Sequence, residues 1–208
     1  MGDISFSITQ TMKKTEKLKF NITAGTKIAT GKSDAAENNL PLPMPYQTGL
    51  GTYDLILGTS LKYSNWNFGL GFQAVLSNKN ENQFSRNAWT TNPDAQKYFE
   101  SIFLNRGNDA LLKMERNFKW KKLNLSPGLL GIYHLQESSF IDDSGNRASI
   151  KNSDGLTLNI TCNAQYNFSN HTGINLVLGF PTVVRKARPD GLTRHFVLAA
   201  AFNYRFGK

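Results

Sequence analysis

The sequence predicts an all-β protein, an antiparallel up-and-down transmembrane β-barrel, and three observations carry that reading. Apolar and polar residues alternate at period two along most of the chain. Several runs extend to roughly 10–14 residues, beyond the soluble mode of about 5–6 and suited to a tilted membrane strand, which needs about 9–11. The connections alternate between short and long, as periplasmic turns and extracellular loops do in outer-membrane barrels.

Each strand is read from its own alternation. Ile4, Phe6, Ile8 and Met12 oppose Ser5, Ser7 and Thr9. Leu18, Phe20, Ile22 and Ala24 are set against Lys19, Asn21 and Thr23. Tyr53, Leu55, Leu57, Thr59, Leu61 and Tyr63 follow, then Trp66, Phe68, Leu70, Phe72, Ala74 and Leu76. A fifth run holds Ala110, Leu112, Met114, Phe118 and Trp120, and a sixth Leu125, Leu129, Tyr133 and Leu135. The seventh, from Leu156 to Phe168, alternates apolar residues with Thr157, Asn159, Thr161, Asn163, Gln165 and Asn167. Ile174, Leu176, Leu178 and Phe180 precede the last run, Phe196, Leu198, Ala200, Phe202, Tyr204 and Phe206. About nine to ten strands are thus visible in one domain spanning residues 1–208. Short turns fall at 13–17, 64–65, 121–122 and 169–172, and long polar segments at 31–47, 78–108, 137–154 and 185–194.

Alternation reads the same inside out, because a soluble barrel would turn its apolar face inward. Strand length, loop asymmetry and the uncharged character of the second face favour lipid on the apolar side. The face lining the solute path then carries Asp54, Lys62, Gln73, Lys113, Glu115, His134, Gln136, Asn159, Asn163, Gln165, Asn175, His195 and Arg205. Tyr63, Trp66, Phe118, Trp120, Tyr166, Phe168, Tyr204 and Phe206 gather beside the short turns, as an aromatic girdle at a membrane interface would. Arg116 shares the lipid-facing phase of Met114 and Phe118. Either it lies near the interface and snorkels, or a bulge turns it inward.

Composition narrows the function. Phe 14, Tyr 7 and Trp 3 in 208 residues are too many aromatics for disorder. The single cysteine, Cys162, excludes an internal disulfide and a cysteine zinc site, and reads as a small apolar residue. No run reaches the 18 or so apolar residues of a spanning helix. The net charge of +9 comes from scattered residues such as Lys13, Lys14, Lys17, Lys121, Lys122, Arg185, Lys186 and Arg188. Headgroup and lipopolysaccharide phosphates suit that pattern better than nucleic acid. His134 lies near Ser138 and Ser139 at a loop mouth, His171 and His195 stand alone, and no catalytic set is assigned. The spacing of Asp142, Asp143 and Asp154 is not that of a calcium loop and reads as a solvated turn. Gly49-Leu50-Gly51 opens no helix and is no dinucleotide site. No metal or cofactor is expected.

If the last strand ends in the periplasm, counting back starts the strand at 3–12 on the extracellular side. Nine strands is odd, whereas single-chain bacterial barrels are even. The N-terminus also lacks the basic-then-apolar form of a secretion signal. The expectation is therefore the C-terminal part of a longer barrel, without its signal and first strand or strands.

Residues in the first third of the chain resemble a known family. Gly2-Asp3-Ile4-Ser5-Phe6 opens a strand, Thr26-Lys27-Ile28-Ala29-Thr30-Gly31-Lys32-Ser33-Asp34 follows, and then comes Tyr46-Gln47-Thr48-Gly49-Leu50-Gly51-Thr52-Tyr53-Asp54-Leu55-Ile56-Leu57-Gly58. This order is similar to the outer-membrane transporter family named for the MetA pathway of phenol degradation, with Ala29 where that family has proline. The similarity covers residues 2–76, and the remainder agrees only in strand rhythm. It implies an outer-membrane barrel of about twelve strands in full, taking up small hydrophobic or aromatic molecules. The end, Phe202-Asn203-Tyr204-Arg205-Phe206-Gly207-Lys208, resembles the signal read by the barrel-insertion machinery, except that Gly207 and Lys208 follow the last aromatic. The expected function is an outer-membrane channel or transporter for small apolar solutes. A non-transporting structural or surface-binding barrel and a soluble ligand-binding barrel are the alternatives.

Overall fold

A computed structural model describes residues 2–191 and 195–206. Gly207 and Lys208, and Arg194 at the end of the last long segment, lie outside the described residues. The strands are β1 (Ile4–Lys14), β2 (Leu18–Ile28), β3 (Ala36–Glu37), β4 (Leu40–Pro41), β5 (Thr52–Tyr63), β6 (Trp66–Asn78), β7 (Asp109–Arg116), β8 (Phe118–Trp120), β9 (Leu123–His134), β10 (Ser139–Ile141), β11 (Arg147–Ser149), β12 (Gly155–Asn167), β13 (Thr172–Val183) and β14 (Val197–Tyr204).

The protein is all-β, with one antiparallel sheet of nine strands in the order β1-β2-β5-β6-β7-β9-β12-β13-β14, and β8 beside β9. Sheet order follows chain order, so each long strand pairs with its neighbours in sequence and the nine predicted runs are these nine strands. β1 and β14 are its two ends, and every residue of both is exposed. The four short turns lie at one end of the sheet and the four long connections at the other. In the two-residue turns Ser64-Asn65 and Lys121-Lys122, the first residue takes a left-handed φ, 52° and 46°, the sense that matches strand twist in a tight hairpin.

Strands β7 and β8 are one strand in register. Glu115 stands opposite Gly128 and Phe118 opposite Leu125, so no residue is inserted between them. That register sets Pro127 across from Arg116, and proline has no N–H to give, so the ladder lapses there. Arg116 therefore stays on the apolar face and no bulge turns it inward. Its guanidinium lies 5.3 Å from the Trp66 ring centre and 5.2 Å from that of Phe118, where cation–π attraction holds it. A bulge does occur in β1 between Thr11 and Lys13, which leaves Met12 without an opposite residue on β2.

Burial is distributed unlike that of a sandwich with a dry centre. Among the described residues, the buried apolar side chains are Met44, Phe84, Ala95, Leu104, Ile150 and Ala187, all outside the nine strands. The apolar face of the sheet is exposed, with Phe6 at 60 %, Leu70 at 60 %, Leu112 at 56 % and Phe202 at 68 %. Met44, Leu104, Ile150 and Ala187 form one cluster, a single residue from each long connection, flanked by Leu50, Phe99 and Phe140. The long segments are thus built structure. Asn38 and Asn39, with φ of 50° and 65°, turn the β3–β4 hairpin, the chemistry of a tight type I′ turn. β10 and β11 form a second hairpin, over a turn in which Asp142 Oδ1 accepts from the N–H of Ser144 and of Asn146.

Gly128 marks a close approach in the middle of the sheet. A Cβ there would lie 2.5 Å from Met114 O and 2.6 Å from Glu115 Cγ, and Glu115 is itself held by Asn163 and Lys113. Gly128→Val is expected to cost about 1–3 kcal/mol, read as a lower urea midpoint followed by tryptophan fluorescence.

Candidate functional site

Away from the apolar face, the sheet carries two zones. Near the short turns it is polar. Lys62, Asn67, Asn124, Asn163, Gln165 and Asn175 line a cleft of about 390 Å³. Gln165, Asn175 and Arg205 also line a wider polar opening of about 1240 Å³. Lys113 Nζ lies 2.9 Å from Glu115 Oε1, to which Asn163 donates at 2.7 Å. Asn159 donates to Leu130 O at 3.4 Å. Three predicted path residues lie just past strand ends: Gln136 beyond β9, His195 before β14 and Arg205 after it. Gln136 Oε1 accepts from Asn108 N, while Arg205 N donates to His171 O.

Toward the long connections the same face carries two networks of buried charge. In the first, Lys27 and Asp54 stand opposite each other on β2 and β5. Lys27 Nζ lies 2.8 Å from Asp54 Oδ2, 3.6 Å from Asp3 Oδ2, and donates to Thr52 Oγ1 at 2.7 Å. Gln73 also donates to Asp54. Asp3 accepts from the N–H of Gly31 and of Leu50. A Cβ on Gly31 would lie 2.7 Å from Thr48 O and 2.8 Å from Gly49 Cα, so that approach requires glycine. Asp3, Gly31, Gly49 and Leu50 therefore meet in one place, clasping the 29–51 connection to the sheet.

The second network centres on Asp109, directly opposite His134 in the β7–β9 register. His134 Nδ1 lies 2.6 Å from Asp109 Oδ1. Gly107 N–H points at His134 Nε2 from 3.3 Å, so Nε2 accepts and Nδ1 carries the proton toward Asp109. Ser138 Oγ is also 3.3 Å from Nε2. A serine, a histidine and an aspartate thus stand in relay order, yet Ser138 and His134 are buried. The small cleft beside them, about 180 Å³, is lined by His134 and Asp109 but not by Ser138. The Ser138 N–H is taken by Ser153 Oγ. A nucleophile needs space at its oxygen and donors for an oxyanion; here the set ties the start of the 135–154 connection to the sheet.

Arg106 bonds the other oxygen of Asp109, and its Nε lies 3.4 Å from Asp190 Oδ2. Arg185 bonds Asp190 and donates to Ser153 O at 2.7 Å. Burial pushes the Asp190 carboxyl up, but the Arg106 and Arg185 charges outweigh it and hold the group below the usual carboxylate range. Burial likewise works against the Arg106 cation, and Asp109 and Asp190 together raise its pKa.

Two further features complete the face. Leu130, Ile132, Val177, Pro181 and Val197, all in the phase of His134, line an apolar cleft of about 440 Å³ beside Arg188 and Gly191. Stacked or edge-on ring pairs stand at the short-turn end: Phe118–Trp120 at 5.8 Å, Tyr166–Phe168 at 5.3 Å and Tyr204–Phe206 at 4.7 Å, with Tyr63 and Trp66 facing each other across their turn.

Sequence reasoning reaches Asp54, Gln73, His134 and the nearby Ser138 but not Asp3, Lys27, Arg106, Asp109, Arg185 or Asp190 as partners. Asp109 had a readable signal, since it falls in the polar phase of Lys113 and Glu115. Arg106 and Asp190 lie in different loops, and nothing local pairs them. No protein family's sequence profile matches the chain, and no curated protein matches it.

Two outcomes follow from the Asp109 network. Asp109→Ala leaves His134 and Arg106 buried without their carboxylate and is expected to cost about 3–5 kcal/mol, measured as a lowered urea midpoint. A carboxyl whose folded pKa is depressed contributes stability that is complete above its unfolded value, about 3.9, and lost as pH falls through the folded one. Protease cutting in the long connections is therefore expected to rise as pH drops below about 4, and Asp190→Asn to flatten that response.

Proposed function

We propose that the protein is an outer-membrane β-barrel channel for small solutes of apolar character. One observation carries this reading: the apolar face of the sheet is exposed along its strands, while the buried apolar cluster lies in the long connections. In water such a face would be a large apolar patch of the kind that marks a lipid or partner surface; against acyl chains it needs no cover. Strands of 11–13 residues span the hydrocarbon layer when tilted. The ring pairs at the short-turn end fit an interfacial girdle, with Arg116 among them. The likeness of residues 2–76 to the MetA-pathway family agrees with it.

Lys62, Asn163, Gln165 and Asn175 then line the solute path from the periplasmic side, and lipid and lipopolysaccharide phosphates meet the basic turns and loops. A second reading, a barrel held shut by its loops, is favoured by the cross-tied cluster of Met44, Leu104, Ile150 and Ala187.

Heat-modifiable gel migration of the membrane fraction tests the barrel. Liposome swelling or single-channel conductance separates the open reading from the shut one. Ile160→Arg, near mid-strand on the apolar face, is expected to destabilise the folded protein in bilayers by about 2–4 kcal/mol, and Arg116→Leu to change it by about 0–1 kcal/mol. Equal, small effects of both in a detergent-free soluble fraction would replace the membrane reading with a soluble barrel.

A further inference from the structure

We propose that the polar cleft beside the short turns binds a small polyvalent oxyanion of the phosphate type. The strands bring like charges face to face there. Lys14 stands directly opposite Lys19 in the β1–β2 register, and Lys19 directly opposite Lys62 in the β2–β5 register. Lysines thus form a row across three strands. Like charges opposed across a ladder are destabilising, and a bound anion would offset that cost. The row ends at the cleft of about 390 Å³, which Lys62 and Lys119 line among amide and hydroxyl side chains. Through Gln165 and Asn175 this cleft adjoins the wider opening, lined by Lys121, Lys122 and Arg205.

Among the described residues, no Asp or Glu lines either space. Glu16 is the one carboxylate in the sequence of the four short turns. Glu115, opposite Asn67 in the β6–β7 register, is already held by Lys113 Nζ at 2.9 Å and by Asn163 at 2.7 Å. Lys122 Nζ donates to Phe168 O at 3.0 Å. The ammonium groups of Lys62 and Lys119 have no hydrogen bond or ion pair among the described residues. A cleft lined by one sign of charge concentrates counter-ions, and basic side chains lining a pore select for anions and phosphates. The amides of Asn124 and Asn163 add N–H donors for the oxygens of such a group. The cleft lies on the face turned away from the exposed apolar side chains, so its occupant is a soluble anion; lipid headgroups accompany the acyl chains on the other face. The assignment gives the channel proposed above a solute that bears an oxyanion. It rests on that reading for transport, while the binding itself is measurable without it.

The test is phosphorus NMR of inorganic pyrophosphate titrated with the full chain in dodecyl maltoside micelles, with empty micelles as the blank. Saturable line broadening is expected, and it is lost as sodium chloride is raised. Lys62→Gln is expected to weaken binding about fivefold, with an unchanged or higher urea midpoint because Lys19 then faces an uncharged neighbour. Lys13→Gln removes a charge at the same end of the sheet but opposite Phe20, on the apolar face, and should change binding by less than about twofold. Lys119→Gln serves as the second variant if Lys62→Gln fails to fold, and should also weaken binding. Equal losses from Lys13→Gln and Lys62→Gln reduce the effect to net charge and overturn the site. No saturable binding by protein that still shows heat-modifiable migration overturns it as well. Displacement of pyrophosphate by phosphatidylglycerol added to the micelles gives the cleft to lipid headgroups and overturns the soluble occupant. Saturable binding that depends on Lys62, without conductance, supports the site and removes the channel; conductance without such binding overturns the site alone.

Discussion

Asp109 offers two carboxylate oxygens, and each is taken by a buried side chain from a different element. One holds His134 across the β7–β9 ladder; the other holds Arg106, at the end of the 79–108 connection. Arg106 passes the contact to Asp190, and Arg185 ties Asp190 to the backbone of Ser153. Three connections are thereby fixed to the sheet through one carboxylate. Charges removed from water persist only when fully partnered, so the position of each loop depends on the others being in place.

The sheet beneath is organised by the opposite solvent logic. Its backbone groups are paired strand to strand, and its apolar side chains are displayed on one face instead of packed into a centre. That arrangement fits the membrane setting proposed above, where hydrocarbon needs no cover and backbone groups need partners. The other face is graded, with amides near the short turns and aliphatic side chains near the long connections.

Much of the architecture could be read from alternation alone. The nine runs, the order of short and long connections, and the gathering of Tyr63, Trp66, Phe118 and Trp120 at one end are local patterns, and local patterns survive folding. Arg116 was ambiguous because phase alone cannot reveal a bulge; the unbroken register past Pro127 excludes one. The loop structure was illegible for another reason. Met44, Leu104, Ile150 and Ala187 come from four connections with no shared periodicity, and what unites them is contact between those connections. Asn38-Asn39 was a readable hairpin signal inside a segment taken as loop. The apolar cleft was hidden by its own richness. In Gly128-Leu129-Leu130-Gly131-Ile132-Tyr133 both phases are apolar, so a period-two reading credits one face and overlooks the other.

Cross-tying has a consequence for how such a surface can change. A connection that shares its apolar anchor with three others cannot be lengthened near that anchor without disturbing all four. The tip of the β10–β11 hairpin lies outside that anchor: Asp143 accepts from Asn87 of the 79–108 connection, and open space surrounds Gly145, whose φ of 81° favours glycine. An inserted reporter peptide is therefore better accommodated at that tip than near the shared anchor, where all four connections would have to move together.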